Sequence, residues 1–244
     1  MTNPLIRKLE AFGRLPDADR RLLAGITVQA KDVAAREDLI GEGDNPRDVQ
    51  LILEGFACRY KFLPDGGRQI TAFLIPGDFC DLHVFILKAM DHSIATMSPC
   101  RVVAIPREKI LELTERPAIA RALWWAALVD EAILREWLVN LGGRPADQRI
   151  AHLLCELLVR LRTVGLVNGD SYELPITQQD LADTMGLTSV HVNRVLQRLR
   201  SEGAITLKSK RLVIKDVERL MAFCGFDGSY LHLAETQDDG AHSR

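Results

Sequence analysis

The sequence predicts an α+β chain: an N-terminal antiparallel β-roll of jelly-roll type, a long helix and a C-terminal winged helix-turn-helix. Three observations predict it. Short β-like runs broken by Gly, Pro and Asp turns fill Val28–Arg107, an apolar helix free of Gly and Pro spans Ala118–Leu141, and a helix-turn-helix pattern occupies Thr177–Arg200. The 244 residues suffice for two domains, each with its own core. The expected units are 1–117 for the roll, 118–141 for the long helix, 142–225 for the winged helix-turn-helix and 226–244 for a loosely ordered polar tail.

Along the chain, Leu5–Leu23 carries short helical stretches, with a helix start at Asp17-Ala18-Asp19 after Pro16. Strands over Asp48–Leu53, Phe56–Leu63, Gln69–Ile75 and Cys100–Ile105 each end at a turn signal, Glu54-Gly55, Pro64-Asp65-Gly66-Gly67, Pro76-Gly77-Asp78 and Pro106. Runs of this length and spacing read as an antiparallel sandwich or roll. Within Ala118–Leu141, Ala120, Leu123, Ala127, Leu134, Leu138 and Leu141 recur at helical spacing beside Ile119, Ala126, Ile133 and Trp137. So wide a band can cover the roll with one half and pair with a second copy through the other, although periodicity alone also fits an ordinary core helix. Gly142-Gly143-Arg144-Pro145 reads as a hinge, glycine closing one helix and Pro145 opening the next, Ala146–Arg162. A loop over Thr163–Asp170 and a short strand at Tyr172–Leu174 lead to the two helices of Thr177–Arg200. A hairpin of Ala204–Leu207 and Leu212–Ile214 and a last helix, Asp216–Phe223, complete the chain.

Hydrophobic residues make up 47% and charged residues 26%, the balance of a globular protein. No apolar run approaches the roughly 18–20 residues of a membrane span, and Met1–Glu10 lacks the apolar core of a secretion signal, so the expected location is the cytoplasm. Cys58, Cys80, Cys100, Cys155 and Cys224 are scattered without a CxxC pair. That argues against a zinc knuckle or an iron–sulfur cluster, and the thiols read as free and buried. GxSxG, P-loop, HExxH and dinucleotide fingerprints are missing, so enzymatic activity is not expected; the weak alternative is a hydrolase built on Asp81 and His83. The net charge of −2 does not suggest nucleic acid, but its distribution does. Arg194, Arg198, Arg200, Lys208, Lys210, Arg211 and Lys215 face a single acid, Glu202, between Gly186 and Lys215.

In the helix-turn-helix each position has a mechanical task. Thr177 caps the first helix with Asp180 as its acidic counterpart, Leu181 and Ala182 face inward, Gly186 makes the turn and Thr188 caps the second helix. Val192, Val195, Leu196 and Leu199 form a buried stripe, which leaves Ser189, Val190, His191, Asn193, Arg194, Gln197 and Arg198 outward. Arg194 is placed for bidentate recognition of guanine, worth roughly 1–3 kcal/mol of discrimination. Asn193 and Ser189 reach toward base edges, His191 toward a phosphate, and Lys208, Lys210 and Arg211 form a wing that clamps backbone. Thr177, Gln178, Gln179, Thr188 and Arg198 complete the set expected to face double-stranded DNA.

On Gly41-Glu42-Gly43-Asp44 with Leu51-Ile52-Leu53-Glu54-Gly55, on Pro76-Gly77-Asp78-Phe79, and on Thr177-Gln178-Gln179-Asp180-Leu181-Ala182 through Arg194, the chain resembles the CRP/FNR family of bacterial regulators. The resemblance covers about Leu15 to Phe223. It implies a cyclic-nucleotide-binding-like roll and a homodimer joined through Ala118–Leu141 that binds a near-palindromic DNA site and meets RNA polymerase. Arg194 falls on the family's recognition-helix arginine. Ser189 and Val190 stand where the best-known members carry Arg-Glu or Glu-containing pairs, and Val190 suits a thymine methyl but cannot accept from cytosine N4.

Members that bind cyclic nucleotides follow the Gly-Asp turn with a phosphate-cradling helix and an Arg-Ser or Arg-Thr pair. Here Phe79–Ile94 holds Asp81 and Asp91 and no arginine, so cyclic AMP is not expected. Phe79, Cys80, Asp81, His83, Asp91 and His92 are the effector-site candidates. Haem-binding relatives place a Cys or His ligand shortly after the same turn, which leaves haem or a metal on Cys80, His83 and His92 open beside another small molecule, a redox signal or no effector. A change near Phe79–Ile94 is expected to travel along Ala118–Leu141 and rotate the C-terminal domains about Gly142–Pro145. The competing reading is an adaptor whose winged helix binds protein.

Overall fold

The computed structural model describes residues 3–82 and 89–233. Two short helices, α1 (Pro4–Glu10) and α2 (Asp17–Ile26), precede seven strands: β1 (Lys31–Val33), β2 (Asp38–Ile40), β3 (Asp48–Glu54), β4 (Ala57–Phe62), β5 (Arg68–Leu74), β6 (Ser93–Thr96) and β7 (Cys100–Pro106). They pair antiparallel as two facing sheets, β1-β7-β3 and β2-β6-β4-β5, which is the predicted roll. β1, β2 and β6, at three or four residues, are too short to show alternation in the sequence. Two glycines hold corners that no side chain fits. At Gly55 (φ +85°) an added Cβ would lie 2.3 Å from the Pro99 carbonyl oxygen, and at Gly77 (φ +95°) 2.8 Å from that of Pro4.

After α3 (Arg107–Thr114), the long helix α4 runs from Pro117 to Gly143 and α5 from Ala146 to Thr163. Gly142 and Gly143 therefore do not close α4 as expected. Both remain helical, and Arg144 breaks the helix by turning extended (φ −103°, ψ 144°) before Pro145. Ile119, Ala122, Leu123, Ala126, Val129, Ala132, Ile133 and Trp137 are buried, whereas Trp124, Leu128, Leu134, Leu138 and Val139 face out. The apolar band is thus half used. A core that joins Phe56, Tyr60, Ile70 and Phe73 of the roll to Trp137, Leu154 and Leu158 carries the roll onto α4 and α5.

The C-terminal unit contains β8 (Ser171–Glu173), α6 (Gln178–Met185), α7 (Ser189–Ser201), β9 (Ile205–Lys208), β10 (Arg211–Ile214) and α8 (Val217–Cys224), with its sheet in the order β8-β10-β9. The start of the expected loose tail is packed. Gly228–Leu231 forms a 3-10 turn against α4, Leu231 is buried, the Tyr230 hydroxyl donates to Glu156 Oε2 at 2.9 Å, and Trp125 Nε1 donates to the His232 carbonyl at 3.1 Å. Two large apolar side chains in an otherwise polar stretch account for this. Residues 234–244 lie outside the described part. All five cysteines are free and buried, as their scatter predicted.

A buried polar network ties the halves together. Arg160 of α5 donates Nη2 to Asp78 Oδ2 at 2.8 Å and to the Phe73 carbonyl at 2.9 Å, and Nη1 to Glu156 Oε1 at 3.1 Å. Lys8 of α1 takes the other Asp78 oxygen, and Trp137 Nε1 donates to Glu156 Oε2 at 3.0 Å. Beside it, His152 is fully buried between the rings of Phe226 and Tyr230, centroids 5.0 and 6.1 Å away. Glu136 Oε1 is 3.2 Å from its Nε2 but already accepts from Arg144, so burial and the Arg144 charge push the imidazole down to about 4.

Two outcomes follow for stability. Asp78→Ala removes one of the two carboxylates that face Arg160, leaving Glu156, and should lower the unfolding free energy by about 1.5–3 kcal/mol in urea titrations. His152 stays neutral when folded and accepts a proton more readily when unfolded, so its contribution is complete above about pH 6.5 and lost as pH falls from there toward 4. His152→Phe should flatten that segment of the stability profile relative to the wild type; an identical slope would refute the assignment.

Candidate nucleic-acid interface

The reading element is built from local signals. Thr177 (φ −82°, ψ 165°) caps α6: its hydroxyl accepts from the Asp180 amide, and the Asp180 carboxylate accepts from the Thr177 amide, closing a capping box. Gly186 ends α6 in the left-handed region (φ +62°), and the Thr188 hydroxyl accepts from the His191 amide to cap α7. Val192, Val195, Leu196 and Leu199 are buried as their spacing required.

What remains outward is unequal. Val190, His191 and Arg194 are exposed and Ser189 is half-buried. Arg194 has no ion-pair partner among the described residues, so its guanidinium is available at no cost in broken contacts. Asn193 is engaged: its Nδ2 donates to Gln178 Oε1 at 3.0 Å, a bond between the two helices. Arg198 is engaged too, held by Asp147 and Glu202 at 2.9 Å each. These two candidates serve the scaffold in this structure. At the wing, Ser209 (φ +49°) and Lys210 (φ +63°) make a tight left-handed turn between β9 and β10, a conformation unfavourable for residues with side chains. Lys208 and Lys210 are exposed, whereas Arg211 donates to the Ser171 hydroxyl at 3.1 Å.

The reading unit is also docked on the roll, which the sequence did not signal. Asp180 of α6 accepts from Arg36 and Arg68, and Asp183 from Arg68. Burial raises the Asp180 carboxyl, but Arg36, Thr177 and Arg68 outweigh it and hold the group well below the usual carboxylate range.

Of the effector candidates, Phe79, Asp81, Asp91 and His92 come together on a cavity of about 430 Å³ between β4, β5 and α4. His92 bridges two acids, with Nδ1 at 2.7 Å from Asp91 and Nε2 at 3.5 Å from Asp81. Cys80 is buried, and desolvation pushes its thiol far above the ordinary range. His83 lies outside the described residues, among which no three His, Cys, Asp or Glu side chains are grouped to hold a metal. The sequence reading missed the cavity's cations, Lys8, Arg59, Lys61 and Arg160, which arrive from distant elements. All four are ion-paired, with Asp78, Asp130, Glu42 and the Asp78–Glu156 pair respectively. A phosphate would have to displace one of these carboxylates.

Residues 148–223 match the model of the Crp-like helix-turn-helix domain, and residues 30–116 that of the cyclic nucleotide-binding domain. The chain is 32% identical over 191 residues to the nitrogen fixation regulation protein FixK of Bradyrhizobium diazoefficiens, an alignment that covers 76% of this chain and 78% of that one. It is 30% identical over 198 residues to the transcriptional activator protein FnrL of Cereibacter sphaeroides, covering 79% of each. Among solved structures, FixK2 from Bradyrhizobium japonicum is similar with a TM-score of 0.70 at 25% identity, over 80% of this chain and 97% of that one.

The capping geometry yields a direct test. Thr188→Ala should cost about 1 kcal/mol in thermal unfolding through loss of the α7 cap, and Thr188→Ser should recover most of it.

Proposed function

The chain belongs to the CRP/FNR family of DNA-binding transcription regulators, and from that premise we propose that it acts as a homodimer on a near-palindromic site, controlled through its roll by a signal other than cyclic AMP. The observation that carries the reading is Arg194, exposed on α7 and without an ion-pair partner among the described residues, while its neighbour Arg198 is neutralised. A free guanidinium there suits the O6 and N7 acceptors of guanine, with Ser189, Val190 and His191 beside it and Lys208 and Lys210 on backbone phosphates. Thr177, Gln178, Gln179 and Thr188 would flank that surface.

The second copy is supported by α4. Trp124, Leu128, Leu134, Leu138 and Val139 are 73%, 60%, 46%, 64% and 56% exposed on one helix, more apolar surface than a lone regulator keeps in water. Pairing through this stripe would set two α7 helices for half-sites about 34 Å apart. The units would then be a sensor roll to residue 117, a dimer helix over 118–141 and a reading domain over 142–225. Relatives named transcriptional activators favour activation; contact with RNA polymerase, a cytoplasmic location and action by binding without catalysis belong to the same proposal. The effector site would be the cavity of Phe79, Asp81, Asp91 and His92, whose paired cations disfavour a cyclic phosphate.

Selection of bound duplexes from random sequence tests the whole reading: a two-fold symmetric site is expected, and a single asymmetric one would count against the dimer. On the selected site Arg194→Ala should lose about 1–3 kcal/mol of discrimination at one base pair per half-site, whereas Lys210→Ala should weaken all duplexes alike. An adaptor that binds protein would show neither effect.

A further inference from the structure

We propose that Arg36 and Arg68 of the roll, with Asp180 and Asp183 of α6, form a latch that holds the reading domain against the roll in a weakly binding state and opens for DNA. Its consequence for DNA rests on the function proposed above; its geometry stands alone. One carboxylate takes both guanidiniums. Arg36 donates Nη1 to Asp180 Oδ1 and Nη2 to Oδ2 at 2.8 Å each, and Arg68 donates Nη2 to Oδ1 at 2.7 Å. Arg68 Nε also reaches Asp183 Oδ2 at 2.8 Å, and Gln69 Nε2 donates to the Thr184 carbonyl at 3.2 Å. Asp180, Asp183 and Thr184 share one face of α6 by their spacing, so β5 lies along the helix.

Three features distinguish this contact from a permanent seam. It is ionic, and its arginines are part-exposed around the buried Asp180, with the Arg36 side chain 44% and that of Arg68 23% accessible, so water takes over part of what each guanidinium gives up when the contact opens. Arg36 presents its guanidinium from the left-handed region (φ +68°), strain of the kind that accumulates at switch points. Most directly, β5 begins with Arg68 and continues as Thr71–Leu74, a wall of the effector cavity. A ligand that shifts β5 moves a latch residue without acting through α4.

Charge gives the direction. Arg36 and Arg68 are neutralised by Asp180 and Asp183, and the segments that carry the two arginines also carry exposed Glu37, Asp38 and Asp65. A DNA backbone that approaches Thr177–Gln179 in the latched state therefore meets net negative charge.

The test compares full-length wild type with an Arg36→Ala, Arg68→Ala double variant by small-angle X-ray scattering and by fluorescence anisotropy on the selected duplex at fixed salt. The variant should show a larger radius of gyration and about three- to ten-fold tighter binding. Arg68→Asp alone should behave likewise, and Asp183→Arg added to it should restore the compact, weaker-binding form, which separates latch opening from a folding defect. Unchanged scattering and affinity, or an expanded variant that binds more weakly, would overturn the latch. Expansion in the variant with no duplex bound by either protein would uphold the latch and sink the DNA-binding reading instead.

Discussion

The pairing of Arg160 with Asp78 is the constraint on which the arrangement of this protein depends. Both groups are buried, Lys8 and Glu156 complete their charge balance, and a charge left alone in the interior costs several kcal/mol, so the cluster is stable only as a whole. The pair fixes where α5 stands against the Pro76-Gly77-Asp78 turn. That placement determines in turn where α4 is covered, where the 3-10 turn at Gly228–Leu231 packs and how the cavity is walled. A corner that ends in Asp78 and an arginine 82 residues later thus act as one joint.

Two kinds of contact connect the roll to the reading domain, and their physics differs. The Arg160 joint is dry and shares its carboxylates with Lys8, Trp137 and Tyr230, so its parts stand or fall together. The contact of Arg36 and Arg68 with α6 is wetter and made of long side chains. A rigid pivot beside a soft contact is what a hinged molecule needs: the first defines the axis, and the second limits the excursion.

Legibility in the sequence followed the range of the interactions. The helix-turn-helix was readable to within a residue or two because its determinants are local: Thr177 and Asp180 are three residues apart, as are Thr188 and the amide of His191, and Gly186 supplies its own backbone geometry. The roll was readable from its turns, though not β1, β2 and β6. What was lost was long-range. Nothing near Asp180 announces a partner 144 residues upstream, and Arg59 gives no sign of Asp130. The same limit made Asn193 and Arg198 look free for DNA, since Gln178 and Asp147 reach them from other helices. Tyr230 and Leu231 were concealed by the polar residues around them.

The position of α1 has a consequence for how the chain is made. Leu5, Ile6 and Leu9 are buried in the core of the roll, whereas Arg7 donates to the Val164 carbonyl and Lys8 shares Asp78 with Arg160, partners far along the chain. At about 5–20 residues per second, Arg160 and Val164 emerge on the order of ten to thirty seconds after Arg7 and Lys8. During synthesis the apolar face of α1 therefore has its partners in the roll before the α5 groups that complete its polar contacts exist.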